Sequence, residues 1–353
     1  VATRDAPPNP TDRANLAALA ARNGASGSGR SCGLPAAGQA ADDTVGEAAA
    51  IAAPEPVYSP AQATTRTGSH TMDIGVVIFP TDKAIQPIEL AREVEARGFE
   101  SLWFPEHSHI PTSRETPWGG FKDMPPLPEE YWRTHDQFVA LAAVAAVTKK
   151  IRLGTGITLV AQRDPVWLAK EVASLDMISG GRFELGIGYG WNVEEMRNHK
   201  LEFAKRRDIL RENILLMREL WTKDEAEFSG EHIRFEKSWA WPKPVQKPYP
   251  PIVMGGAAGP KTAAHVAEFC TGWMPLGGLY DFESGWKHIS EACAKIGRDP
   301  KTIDLGMFFA MAPDADTVKK LPEMGFKRAI LPLPPAGADQ VLPVLDNYAK
   351  LIG

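Results

Sequence analysis

The 353-residue chain has little cysteine: Cys32, Cys270 and Cys293 are its only three, and none forms a Cys-x-x-Cys pair. That argues against a disulfide framework or a zinc ribbon and fits a reducing cytoplasm. Long apolar runs are missing as well. The longest small-apolar run near the N-terminus, 48–53, is far shorter than a signal-peptide core or a membrane span, so no membrane association is expected. No Lys/Arg block stands out. With 39 basic residues mixed among 44 acidic ones and a net charge of −5, binding that tracks nucleic-acid phosphates is not expected.

The first 71 residues are poor in large apolar side chains. Forty-five of them are Ala, Gly, Pro, Ser or Thr, and Tyr58 is the one aromatic residue. So little apolar area cannot offset the entropy of ordering the segment, and 1–71 reads as a disordered low-complexity extension. A short Ala/Leu patch at 15–22 is able to flicker into helix. Six acidic residues count against a transit peptide, and the segment reads equally as an over-called start upstream of Met72.

What is present begins there. The 282 residues of 72–353 hold all ten tryptophans, a length close to the ~250 residues typical of a (β/α)8 barrel. Short β-branched or aromatic runs alternate with stretches of helical period, which predicts repeated βα units on a parallel sheet. Strands are expected at 74–79, 101–104, 151–156, 183–188, 252–255, 271–274, 303–309 and 329–333. Among the helical stretches, 165–178 places Leu168, Val172 and Leu175 on one face with Pro165 in the first turn. Ile209, Leu216, Met217 and Leu220 stripe another that ends near Trp221. Eight strands, each followed by a helix, predict an α/β fold closed as a (β/α)8 TIM barrel over 72–353 rather than an open Rossmann sheet.

Two connections are too long for plain loops. The first, 105–133, follows the carboxyl end of the second strand, the face on which barrel active sites lie. The second, 222–251, is rich in Pro and Trp and leads into the fifth strand, either as an edge-covering excursion or with a short hairpin at 227–235. The second strand runs into Pro105-Glu106-His107-Ser108-His109. Two imidazoles at i and i+2 can converge on a metal ion, but the ends of strands five, six and eight add no His, Asp or Glu, so no metal is expected. Glu106 and His107 then read as a cofactor-positioning acid and a proton donor or acceptor, or as a plain surface pair.

Glycines crowd three further strand ends. Leu153-Gly154-Thr155-Gly156-Ile157-Thr158 suggests a bulge or a close approach of backbone to ligand. Gly186-Ile187-Gly188-Tyr189-Gly190-Trp191 lacks the GxGxxG spacing, yet beside the third strand it would let a flat ring lie on the backbone between Tyr189 and Trp191. Gly255-Gly256-Ala257 leads straight into a helix whose free N–H groups and dipole suit a phosphate, a ligand-free turn being the plain alternative.

Arg163-Asp164-Pro165, Ala169-Lys170-Glu171 and the unbroken run from Ser174 through Gly180-Gly181-Arg182 to Gly188 resemble the luciferase-like monooxygenase superfamily. So do Met72-Asp73-Ile74-Gly75, Gly98 through Trp103, Glu106-His107, and Pro242-Lys243-Pro244-Val245-Gln246-Lys247-Pro248 leading to Gly255-Gly256. The resemblance spans nearly all of 72–353 and is greatest to the branch dependent on the deazaflavin coenzyme F420. It implies a barrel with the deazaflavin at the carboxyl rim and a bulged third strand whose Gly156–Ile157 peptide is cis. It also implies that Glu106 faces the ring and that His107 matches a catalytic histidine of sugar-phosphate dehydrogenase relatives. Where those relatives place a glutamate after the strand-four glycines, this chain has Trp191, with Glu194 and Glu195 a few residues on.

The expected activity is therefore F420-dependent hydride transfer between the deazaflavin C5 and a small apolar or aromatic organic substrate, with His107 handling a proton. An FMN-dependent monooxygenase using oxygen and a non-catalytic flavin-binding barrel are the alternatives. Cofactor contacts are expected from Glu106, Gly156, Ile157, Thr158, Gly188, Tyr189, Gly190, Trp191, Gly255, Gly256 and Ala257. Trp118, Phe121, Tyr131, Trp132 and Trp191 are candidates for an apolar substrate pocket, or else for packing. Arg163 is a candidate for an anionic group, or for pairing with Asp164 or Asp176. Beyond a small-molecule substrate the one partner considered is a second copy of the chain, since superfamily members commonly dimerise; no helix shows a separate apolar stripe for it.

Overall fold

The structure, a computed structural model, describes residues 72–120 and 125–352. The expected extension 1–71, with Tyr58 and the patch at 15–22, lies outside the described residues, as does Phe121. Among the described residues the chain forms eleven strands. These are β1 (Asp73–Val77), β2 (Ser101–Phe104), β3 (Arg152–Thr155), β4 (Phe183–Ile187), β5 (Glu225–Ser229), β6 (Arg234–Trp239), β7 (Ile252–Gly255), β8 (Gly272–Met274), β9 (Leu276–Gly277), β10 (Asp304–Phe309) and β11 (Arg328–Pro332). Eight of them run parallel in the order β1-β2-β3-β4-β7-β8-β10-β11, and β11 pairs back onto β1 from Asp73↔Arg328 to Val77↔Pro332. The barrel is closed, as expected, and all eight expected strands are in it. Pro275, with no N–H to give, separates β8 from the two-residue β9.

Helices cover the outside: α1 (Pro87–Ala96), α2 (Glu130–Arg133), α3 (Gln137–Val147), α4 (Pro165–Ser179), α5 (Val193–Asn198), α6 (Arg206–Thr222), α7 (Pro260–Phe269), α8 (Phe282–Lys295), α9 (Ala315–Lys320) and α10 (Ala338–Ala349). Helix α4 starts and stops for legible reasons. Asp164 accepts the Val166 and Trp167 amides, Pro165 fills the first position, and Gly180 closes the helix at φ 68°. Helix α6 buries Leu210, Ile214, Met217 and Trp221 in one stripe, and Ile209 is only half-buried.

Inside the barrel, the glycines of the third and fourth strands make room for protein side chains. Trp103 is fully buried, and a Cβ on Gly154 would stand 2.1 Å from its indole. A Cβ on Gly156 would stand 2.9 Å from the Phe308 ring. The close approach that these glycines suggested is thus to Trp103 and Phe308, below the rim. The bulge is present: Gly154 faces Glu184 while Thr158 faces Ile187, four steps along one strand against three along the other, and the Gly156–Ile157 peptide is cis.

The opposite end of the barrel is held by charge. Arg328 donates to Glu100 and Glu184, and Arg152 also pairs with Glu184. Burial alone would push the Glu184 carboxyl up, but the two guanidiniums bring it down to about 2. The long excursion before β7 contains the antiparallel hairpin β5–β6, longer than the expected 227–235, with Glu212 of α6 accepting from the Glu231, His232 and Ile233 amides at its turn.

One surface departs from expectation. Val139 on α3 is 73% exposed, Trp167 on α4 is 70% exposed, and Met177 and Ile178 follow at the other end of α4. Trp241, also exposed, is joined to this helix through a hydrogen bond from Lys170 to its carbonyl. These side chains are an apolar face that the barrel does not use. No helix among the described residues is long and apolar enough to cross a membrane.

Candidate active site at the carboxyl rim

Where β2 ends, the chain must leave the barrel, and Glu106 and His107 are the first polar side chains at that mouth. Glu106 does not project freely. One carboxylate oxygen accepts the Leu159 amide at 2.6 Å and the other accepts Arg163 Nε at 2.6 Å. Burial pushes this carboxyl up, and the Arg163 guanidinium and Leu159 amide oppose that without reversing it. Arg163 reaches Asp136 at 2.8 Å and Glu171 at 3.0 Å as well. Although burial works against its charge, these carboxylates hold its pKa above the ordinary arginine value. Its partners are therefore three carboxylates other than Asp164, which caps α4, and Asp176, which binds the Gln246 amide groups.

His107 is held differently. Its Nδ1 lies 2.8 Å from Oε2 of Glu195, and the two side chains are 6% and 0% exposed. Glu195 arrives because Gly190, at φ 72°, turns the chain away from β4, and the Asn192 side chain then caps the start of α5. A Cβ at position 190 would strike Met196 at 2.5 Å. Helix α5 turns both of its glutamates on the first long loop. Glu195 Oε1 accepts the Ser108 amide at 3.2 Å, and Glu194 accepts the Glu115 and Thr116 amides and the Thr116 hydroxyl. These bonds outweigh the effect of burial and lower the Glu194 carboxyl.

Aromatic rings surround the imidazole. The His107 centroid is 5.1 Å from Tyr131 and 5.7 Å from Trp191, and Tyr131 in turn meets Trp118 at 5.8 Å and Phe79 at 4.6 Å. Trp118, Tyr131 and Trp191 thus come together as an apolar wall, whereas Trp132 is about half exposed. A cavity of about 250 Å³ at this mouth is lined by Glu106, Ser108, Gln162, Arg163 and His199. The buried amide nitrogen of Gln162 has no hydrogen-bond partner there among the described residues.

The remaining candidates divide. Ile157, on the bulge, fills the space beside two glycines: a Cβ on Gly188 would stand 2.7 Å from it and one on Gly255 2.6 Å. Thr158 is buried and accepts from Gln137. Tyr189 points away from Trp191, with its hydroxyl 2.7 Å from His265 on α7 and its ring under Arg207, and burial pushes its phenol up to about 12. Gly256 spends its N–H on the Met274 carbonyl. The start of α7 is open nonetheless. Gly259 gives it no side-chain cap, a Cβ on Gly256 or Gly259 would meet nothing within 4 Å, and Arg207 reaches Thr262 in the first turn at 2.8 Å. The neighbouring Arg206 keeps a buried Nε without a partner among the described residues.

The sequence offered Glu194 and Glu195 together near this rim without choosing between them, and it is Glu195 that meets His107. Roles for Ser108, His199, Arg206 and Arg207 were not foreseen.

Comparison with known proteins gives the family context. A family model described as luciferase-like monooxygenase matches residues 62–339. An uncharacterized protein of Mycobacterium tuberculosis is 36% identical over 282 residues, covering 79% of this chain and 98% of that one. An F420-dependent hydroxymycolic acid dehydrogenase of the same species is 27% identical over 237 residues, 65% of this chain and 60% of that one. Among solved structures, monooxygenase RslO1 from Streptomyces bottropensis matches with a TM-score of 0.64 at 20% identity, over 79% of this chain and 98% of that one. The coenzyme F420 dependent tetrahydromethanopterin reductase of Methanopyrus kandleri matches with a TM-score of 0.62 at 18% identity, over 80% and 98%. At such identities the two structures speak for the fold alone.

Proposed function

The chain belongs to the luciferase-like monooxygenase family, and from that premise we propose that it is an F420-dependent oxidoreductase interconverting a small apolar or aromatic alcohol and its carbonyl form. The observation that carries this reading is the His107–Glu195 pair inside the aromatic wall. Moving a hydride from a carbinol carbon requires removal of the hydroxyl proton, and an imidazole oriented by a carboxylate is suited to take it.

The rim fits a deazaflavin. Ile157 would form the floor, Trp191 a side wall, and the Gln162 amide a waiting hydrogen-bond donor. The uncapped start of α7, with Arg206 and Arg207 beside it, would hold an anionic tail. Once bound, the deazaflavin supplies a ring carbon that accepts or gives a hydride and, having carbon in place of a flavin N5, disfavours oxygen activation.

The protein's own residues do the rest. Glu195 holds His107 Nδ1, so Nε2 is the nitrogen offered to the substrate, and the carboxylate steadies the charge when the ring is protonated. In the oxidative direction His107 takes the hydroxyl proton; in the reductive direction it returns one. Trp118, Tyr131 and Trp191 keep water from the reacting atoms. Arg163, already facing three carboxylates, offers little attraction to an anionic substrate, which favours a neutral one.

The family description as a monooxygenase favours a second reading, an FMN-dependent enzyme using oxygen. Anaerobic incubation of the full chain with F420 and a panel of secondary alcohols separates the two. The proposal predicts reduced F420 and an equal amount of carbonyl product without oxygen. Turnover only with reduced FMN and oxygen would replace it with the second reading.

A further inference from the structure

The His107-Ser108-His109 segment lacks metal partners at the ends of the fifth, sixth and eighth barrel strands, but the helix after the fourth supplies them. His109, Glu195 and His199 each present a ligand atom, and these atoms lie within 4.8 Å of one another. Glu195 and His199 share a face because they are four residues apart on and just beyond α5. All three turn toward one point. Ser108 Oγ occupies it, 2.9 Å from His109 Nδ1, 2.7 Å from His199 Nε2 and 3.4 Å from Glu195 Oε1.

We propose that this point is a binding site for one borderline divalent cation of the Zn2+ type, with His109 Nδ1, His199 Nε2 and Glu195 Oε1 as ligands. Two imidazoles and one carboxylate are a zinc donor set, and they leave the fourth position to Ser108 Oγ or water. With no metal bound, the hydroxyl can accept from both imidazoles and donate to the carboxylate, so it holds the ligands together as a placeholder. On loading, Ser108 Oγ yields that point to the cation, the proton on each facing imidazole nitrogen shifts to the opposite nitrogen of its ring through solvent, and the freed lone pairs draw inward by roughly 1 Å, toward the ~2.0–2.1 Å bonds zinc makes. His199, exposed at the end of its short helix, has the freedom to do this.

The surroundings suit the ligands. Glu195 Oε2 is already taken by His107 Nδ1, which leaves Oε1 for the metal. The Asn198 side-chain amide lies 2.9 Å from His109 Nε2, and turned over it would accept from that nitrogen and fix Nδ1 as the ligand.

The test uses the full chain, free of tags and stripped with a chelator, titrated with Zn2+ in a calorimeter. One equivalent should bind with a Kd of about micromolar order, and H109A and H199A should each weaken binding by about tenfold or more. Replacing His232 or His288, which belong to the hairpin turn and to α8, should change nothing. Co2+ in place of Zn2+ should give the intense visible bands of a four-coordinate ion. Absence of stoichiometric binding, or binding that H109A and H199A leave intact, would overturn the proposal; thermal unfolding of each variant guards against loss of fold. Binding is read without turnover, so this result and the cofactor assignment stand or fall separately.

Discussion

A histidine works as a proton carrier only if one nitrogen is held and the other is offered, and here the held nitrogen faces a carboxylate with no solvent exposure. H107N should therefore lower kcat for F420-linked turnover by about 10²–10⁴, the usual contribution of a positioned acid or base. Glu195 acts through His107, so E195Q should lower kcat by about tenfold to a hundredfold while leaving F420 affinity unchanged. Equal loss of cofactor binding in E195Q would assign that residue a merely structural part. Sequence position alone puts Glu106 and His107 at a strand's carboxyl end and suggests separate duties for them. Their partners were not legible, because neither Arg163 nor Glu195 is near them in sequence: 57 residues separate Glu106 from Arg163 and 88 separate His107 from Glu195.

At the level of elements, α5 is the latch of the first long loop. Its two glutamates accept from Ser108, Glu115 and Thr116, so the loop that carries Trp118 is tied to the end of the fourth strand. E194A should speed proteolysis within 108–120 severalfold with little change in Tm, since it frees a surface loop rather than the core; unchanged cleavage would contradict the latch. The residues that carry the family resemblance turn out to be staples of the fold. Arg182 donates to the carbonyls of Ala145, Thr148 and Ile151, Gln246 binds Asp176 and the Phe183 carbonyl, and Lys243 reaches the Leu220 carbonyl. This is why the motifs announce the barrel so clearly and the substrate so poorly. Loop contacts such as those of Glu194 follow no period and leave no local signature.

The charged end of the barrel gives a pH dependence whose sign can be worked out. Glu184 has a carboxyl lowered from 4.5 to about 2 in the folded protein, so its stabilisation is present above about pH 4.5 and is lost as pH falls toward 2. The chain should therefore lose stability over that range by an amount on the order of a few kcal/mol, and E184Q should flatten that part of the curve while lowering stability at pH 7. Denaturant unfolding at a series of pH values checks both. An acid limb that is the same in E184Q would place the depressed carboxyl elsewhere.

For the molecule as a whole, closure of eight parallel strands follows from the alternation visible in the sequence, and the hairpin β5–β6 stands apart as a sheet of its own. The exposed apolar face on α3 and α4 is a feature that periodicity missed. Helix α3 is apolar almost all round, so no separate stripe marks the side turned outward. A face of this kind suits a second copy of the chain. Sedimentation tests this: a dimer that V139E combined with W167E converts to a folded monomer of lower Tm would support it, and a monomeric parent chain would remove it.

The proposed function puts a deazaflavin and hydride chemistry at the rim. A binding titration of the purified full chain with F420 and with FMN in parallel, following ring fluorescence at the same salt and pH, tests it most directly. F420 should bind tightly and saturably, and FMN negligibly. Preference for FMN would contradict it and make this barrel an oxygen-using flavoenzyme.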